Sequence, residues 1–160
     1  MKINLLFTTA LIGSFSFAQQ YAVNQIPSDL VKDAYAVIRH KNELVELNKV
    51  DELKYTEDVV VTVLNKAGDN YVGAFSHYNP NTKIDLFEAT LIDENGKEIK
   101  KFKSKDFSDQ SYVTGGQMYT DNRIKYLNYT PTNYPYTIHY KISITTKNTI
   151  GIPRWSPIHT

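Results

Sequence analysis

Between Glu52 and Leu64 the chain alternates with a period of two. Leu53, Tyr55, Val59, Val61 and Val63 fall on one side, and Lys54, Thr56, Val60, Thr62 and Leu64 on the other. That period belongs to an extended strand with one face turned inward, because successive side chains of a strand point to opposite faces. A strand cannot stand alone, since its backbone N–H and C=O groups need partners. The flanking sequence must therefore supply further strands.

It supplies several. Asn65-Lys66-Ala67-Gly68-Asp69 reads as a turn and Tyr71 to Tyr78 as the returning arm of a hairpin. Ile84, Leu86 and Ala89-Thr90-Leu91-Ile92 form the next strand, and Asn95-Gly96 predicts a type I′ loop in which both residues take positive φ. Glu98 to Phe102 then pairs back. Tyr134-Pro135-Tyr136 opens another strand, with Ile138, Tyr140, Ile142 and Ile144 on one face and His139, Lys141 and Ser143 on the other. Nearer the N-terminus, Ser28 after Pro27 predicts the N-cap of a short helix with Leu30, Val31, Ala34 and Tyr35 on one side. Ala36-Val37-Ile38 is extended, a polar turn is expected around His40-Lys41-Asn42, and Leu44, Val45 and Leu47 predict a separate strand. Seven or eight strands and one short N-terminal helix predict an all-β antiparallel sandwich.

The first 18 residues are set aside from the fold. Lys2, the apolar stretch Leu5 to Phe17 and the small residues of Ser16-Phe17-Ala18 predict a signal peptide cleaved before Gln19. The stretch is shorter than the roughly 20 residues that a helix needs to span a bilayer. The expectation is a β-sandwich domain over 19–160, periplasmic or secreted, with no membrane span after cleavage. Loss of Lys2 brings 18 bases level with 17 acids, so nothing draws the chain electrostatically to nucleic acid. The lysines at 97, 100, 101, 103 and 105 are interrupted by Glu98 and Asp106 and predict a solvated edge strand.

The absence of cysteine removes thiol nucleophiles, disulfides and thiolate metal sites together. His40, His77, His139 and His159 are scattered without metal-ligand spacing, and neither a Gly-x-Ser-x-Gly elbow nor a phosphate-binding glycine loop occurs. No cofactor and no metal are expected. Carboxylates are harder to dismiss, because a glycosidase needs only two, placed by the fold. Asp58, Asp85, Glu88, Asp106, Asp109 and Asp121 are the candidates. Seven of the 12 tyrosines lie between Tyr112 and Tyr140. Such a cluster either packs a half-buried sheet face or stacks on a ligand. The candidate ligand-binding residues are Tyr119, Asp121, Arg123, Tyr126, Tyr129 and Tyr134, with a glycan or peptide as ligand.

Three stretches taken in order carry a resemblance. Val59 to Asp69 is similar to a long strand followed by Leu-Asn-x-x-Gly. Tyr119-Thr-Asp-Asn-Arg-Ile-Lys-Tyr126 is similar to a Tyr-Asp-Asp-Asn-Arg-x-Lys segment. Tyr134-Pro-Tyr-Thr-Ile-His-Tyr140, followed by Ile152-Pro-Arg-Trp-Ser-Pro157, resembles a strand and a Pro-x-Trp-Ser-Pro tail. Together, over roughly residues 30–157, they resemble the domain-of-unknown-function family that precedes a transglutaminase-like domain in exported bacterial proteins. The resemblance implies an all-β fold, export, and a non-catalytic interaction or scaffolding role beside a papain-like Cys-His-Asp domain. An envelope protein or a glycan is the other partner class. The family brings no catalytic residues, so none are carried over. Family members continue past Trp-Ser-Pro with further strands, whereas this sequence stops at Thr160. The expectation is a domain incomplete at its C-terminus, with strand edges left open.

Overall fold

The computed structural model describes residues 20–113 and 120–150. The segment read as a signal peptide from sequence, Gly115-Gly116, Tyr119 and the Trp155-Ser156-Pro157 stretch lie outside the described residues. The elements in chain order are α1 (Ser28–Val31), β1 (Ala36–Lys49), β2 (Glu52–Val63), β3 (Phe75–Tyr78), β4 (Thr82–Ile92), β5 (Glu98–Phe102), β6 (Ser108–Ser111), β7 (Arg123–Tyr126) and β8 (Tyr136–Thr146). Five strands form one sheet in the order β1-β2-β8-β4-β5, and three form a second in the order β3-β7-β6. Every pairing is antiparallel. The protein is an all-β sandwich.

The alternating residues of β2 and β8 explain why these strands sit at the centre. Val59, Val61 and Val63 lie opposite Tyr140, Ile138 and Tyr136. With Phe87, Ala89 and Leu91 of β4 they form the core, to which Ala74, Phe102 and Phe107 add. Phe87 and Phe107 stack with centroids 3.8 Å apart. The other face of β2 is not the solvated surface that the alternation predicts. Val60 and Thr62 are fully buried there, and Thr62 pairs its hydroxyl with that of Thr137 at 2.8 Å. The N-terminal segment lies against this face: the Tyr21 ring sits 6.0 Å from that of His139, the partner of Val60 in the register. Val23 N donates to Glu94 O, and Arg39 Nη1 to Ala22 O.

Four local expectations are corrected. Pro27, not Ser28, occupies the cap of α1, whose four residues end before Ala34, and Leu30 is exposed. No turn breaks the chain at His40-Lys41-Asn42. β1 runs through it as one strand of 14 residues, and the irregularity is a bulge between Ile38 and His40. Long-range pairing with β2 overrides the local polarity there. The arm after Gly68 does not fold back on β2. A 3-10 turn at Lys66–Tyr71 carries the chain into the second sheet, where β3 pairs with β7. The loop at Asn95-Gly96 is not type I′: Gly96 N donates to Asp93 O, and only Gly96 takes positive φ, at 84°. Asp93 Oδ1 accepts from Asn95 N and Lys97 N, so a side chain holds the turn instead.

Candidate functional site

Two of the sequence stretches singled out above meet in space. Asn65 caps the 3-10 turn by accepting from Ala67 N at 3.0 Å, and Gly68 packs so tightly that a methyl group there would overlap the Tyr35 carbonyl. This close approach fixes the next residue, Asp69. Its two carboxylate oxygens accept two phenols, Tyr134 just before β8 at 2.6 Å and Tyr136 at its first position at 2.8 Å. Tyr129 stands edge-on to Tyr136 and to Phe102, with centroids 5.8 and 6.1 Å away. The hydrogen bond to Asp69 raises the Tyr134 phenol to about 12, because ionisation would set two anions against each other. Burial first, then the same bond, raises Tyr136 further. Beside this group lies a cleft of about 390 Å³ lined by Tyr129, Tyr134 and Tyr136 with Asp93, Glu94 and Asn95.

A second group sits on the small sheet. Arg123 on β7 is opposite Tyr78 on β3 and Ser111 on β6. Its Nε donates to Tyr78 Oη at 2.8 Å and to Asp109 Oδ1 at 2.9 Å, its Nη2 lies 2.8 Å from Asp109 Oδ1, and Tyr78 donates to Asp109 Oδ2 at 2.6 Å. Desolvation would raise Asp109, but the bonds from Tyr78 and Arg123 outweigh it and hold the carboxyl below its usual range. Asn79 Nδ2 donates to Asn122 Oδ1 at 3.1 Å. A cleft of about 380 Å³ opens between Tyr78, Ile84 and Lys125.

The predicted site residues therefore divide. Tyr129 and Tyr134 gather at Asp69. Arg123 joins the other group and takes Asp109, not Asp121, as its acid; Asp121 is exposed. Tyr126 lies on β7 between Phe75 and Ser108. Tyr119 is outside the described residues. Asp69 was missed, although its signal is present: an acid after Leu-Asn-x-x-Gly, and two phenols two residues apart.

A third cluster was also missed. Lys41 of β1 lies 3.2 Å from Glu43 and 4.0 Å from Glu57, and Tyr55 donates to Glu43 at 2.8 Å. Desolvation raises the Glu57 carboxyl, with Lys41 opposing. Of the other acids, Asp58 meets His139 at 2.7 Å and Lys141 at 3.7 Å. Asp85 accepts from Thr145, and Asp106 accepts from Lys103 N. Among the described residues, no group of three or more His, Asp or Glu could hold a metal ion, and no helix is long and apolar enough to cross a membrane.

The profile of DUF3857, a domain of unknown function with a solved structure, matches residues 51–155, from the end of the β1–β2 turn to beyond β8. The chain belongs to the DUF3857 family. The matched span holds all three groups of contacts except the residues on β1. The DUF3857 fold is also similar to a crystal structure from Parabacteroides distasonis ATCC 8503 described as a "putative protease", with a TM-score of 0.52 and 17% identity. The likeness covers 77% of this chain and 24% of that one, so this chain spans about a quarter of the similar protein. No curated protein matches the chain.

Proposed function

We propose that this DUF3857 domain is a non-catalytic module of the cell envelope or its surroundings, exported by its N-terminal segment, that scaffolds a transglutaminase-like catalytic domain. The observation that carries the reading is the use of its carboxylates. Asp69 and Asp109 each accept a phenol and a second donor from a distant element; the first ties a turn to β8 and the second ties β6 to β3 and β7. Carboxylates already engaged by phenols and a guanidinium hold segments of backbone together, which supports a structural role over proton transfer. The similar fold within a chain about three times as long, described as a putative protease, supports a module that accompanies another domain. In a chain that joins this module to a transglutaminase-like domain, Asp109→Asn is expected to leave kcat unchanged. A fall in kcat with an unaltered melting curve overturns the reading.

A second reading rests on the cleft beside Tyr129 and Tyr134. Aromatic rings rimmed by Asp93, Glu94 and Asn95 are the chemistry of a glycan or peptide site. Titration with oligosaccharides and peptides, followed by tyrosine fluorescence, tests it. Binding that Tyr129→Ala removes is the expected result, and no binding across both classes sinks it.

A further inference from the structure

We propose that β1 is a self-pairing edge, joining two copies of this chain across a two-fold axis into one continuous sheet. β1 is the outermost strand of the five-stranded sheet among the described residues. Ile38, Leu44, Val45 and Leu47 on this one strand are between 38% and 64% exposed. A long edge strand that carries four exposed apolar side chains is a template for another strand.

The strand's own sequence identifies that other strand as a second copy. In an antiparallel pair, residues directly opposite each other point to the same face, so only certain registers are open to a two-fold. Centring on Lys41 or on Glu43 sets like charges against each other. Centring on Leu44 sets Lys41 against Leu47 of the second copy. Centring on Asn42 sets Lys41 against Glu43 of the second copy, twice, and extends the existing Lys41–Glu43–Glu57 cluster with alternating charge.

The bulge completes the match. Because Arg39 is the extra residue between Ile38 and His40, the next same-face pair outward is Ile38 with Val45 of the second copy, followed by Ala36 with Leu47. Two exposed apolar side chains thus meet, again twice. The opposite edge, β5, is only five residues long, and centring it on Ile99 sets Glu98 against Lys100 of the second copy but also Lys97 against Lys101, with no apolar pair beyond them.

The register makes a sharp test possible, because the natural chain has no cysteine. A residue on the two-fold faces its own copy at a Cα separation of about 4.5–5.5 Å, within disulfide reach. Asn42→Cys is expected to give a covalent dimer on mild oxidation, whereas Leu44→Cys and Ile99→Cys, both at exposed positions, are not. Sedimentation of the unmodified protein should show a concentration-dependent dimer. Val45→Lys, at an exposed position and with its melting curve checked, should raise its dissociation constant about tenfold or more. A monomer at every concentration overturns the proposal, and so does equal cross-linking at 42, 44 and 99. Neither result bears on whether Asp109→Asn spares a neighbouring catalytic domain, so the two proposals fail separately.

Discussion

Asp69 and Asp109 accept a tyrosine hydroxyl at the same distance, 2.6 Å, yet they do so in different surroundings. At Asp69 the second donor is another neutral phenol, Tyr136, which is only 5% exposed and belongs to the core. At Asp109 the second donor is the Arg123 guanidinium, with both side chains open to water at 30% and 41% exposure. Equal geometry does not mean equal worth. Water can replace a partner at Asp109, whereas a phenol stranded beside the core has nowhere to donate. The first carboxylate pins the 3-10 turn to β8; the second tethers three short strands that solvent already supports.

The largest effect is therefore expected from Asp69→Ala, which leaves the Tyr136 hydroxyl without its acceptor. Unfolding by urea should become easier by about 3 kcal/mol, the upper end for a buried polar group left unpaired. A loss no greater than that of Asp109→Ala would break the comparison. Gly68→Ala comes next. The added methyl would overlap the Tyr35 carbonyl and shift the turn that presents Asp69, at a cost of about 2 kcal/mol. If the same variant also moves the alkaline titration of Tyr134 toward the ordinary tyrosine value, the strain is reaching the carboxylate. Asp109→Ala is expected to cost below about 1 kcal/mol, as exposed ion pairs do.

This contrast was only half legible in the sequence. The long strands β2, β4 and β8 announced themselves, because apolar side chains recurring with a period of two in the sequence are a signal that tertiary context reinforces. β6 and β7 did not. Each has four residues, too few to show a period, and β3, which completes their sheet, lies far back in the chain. Arg123 drew attention with Asp121, two residues before it, but its acid is Asp109, diagonal to it across the β6–β7 pair. Tyr134 was singled out for its ring, whereas the structure uses its hydroxyl. Asp69 escaped notice because a carboxylate in a turn reads as solvated, and the residues that desolvate its phenol partners come from β8 and the Tyr129 segment. Local chemistry was visible, and pairings between distant segments were not.

The smallest expected effect separates the two carboxylates by the end of the pH scale at which each bond fails. The Tyr134 phenol is raised from 10.0 to about 12 by its bond to Asp69. A raised group contributes stability that is complete below its unfolded value and lost as the pH climbs through its folded one. The difference in urea midpoint between the natural chain and Tyr134→Phe should stay constant up to pH 10 and shrink toward pH 12. Asp109 is lowered from 3.8, so its contribution is complete above that value and fades as the pH falls below it. Exposure of the Arg123 pair screens the second effect, which should be the smaller of the two. The midpoint difference between the natural chain and Asp109→Asn should therefore be slight at neutral pH and vanish only in acid. If it shrank in alkali instead, deprotonation of Tyr78 would govern that group, and the two carboxylates would be doing the same job.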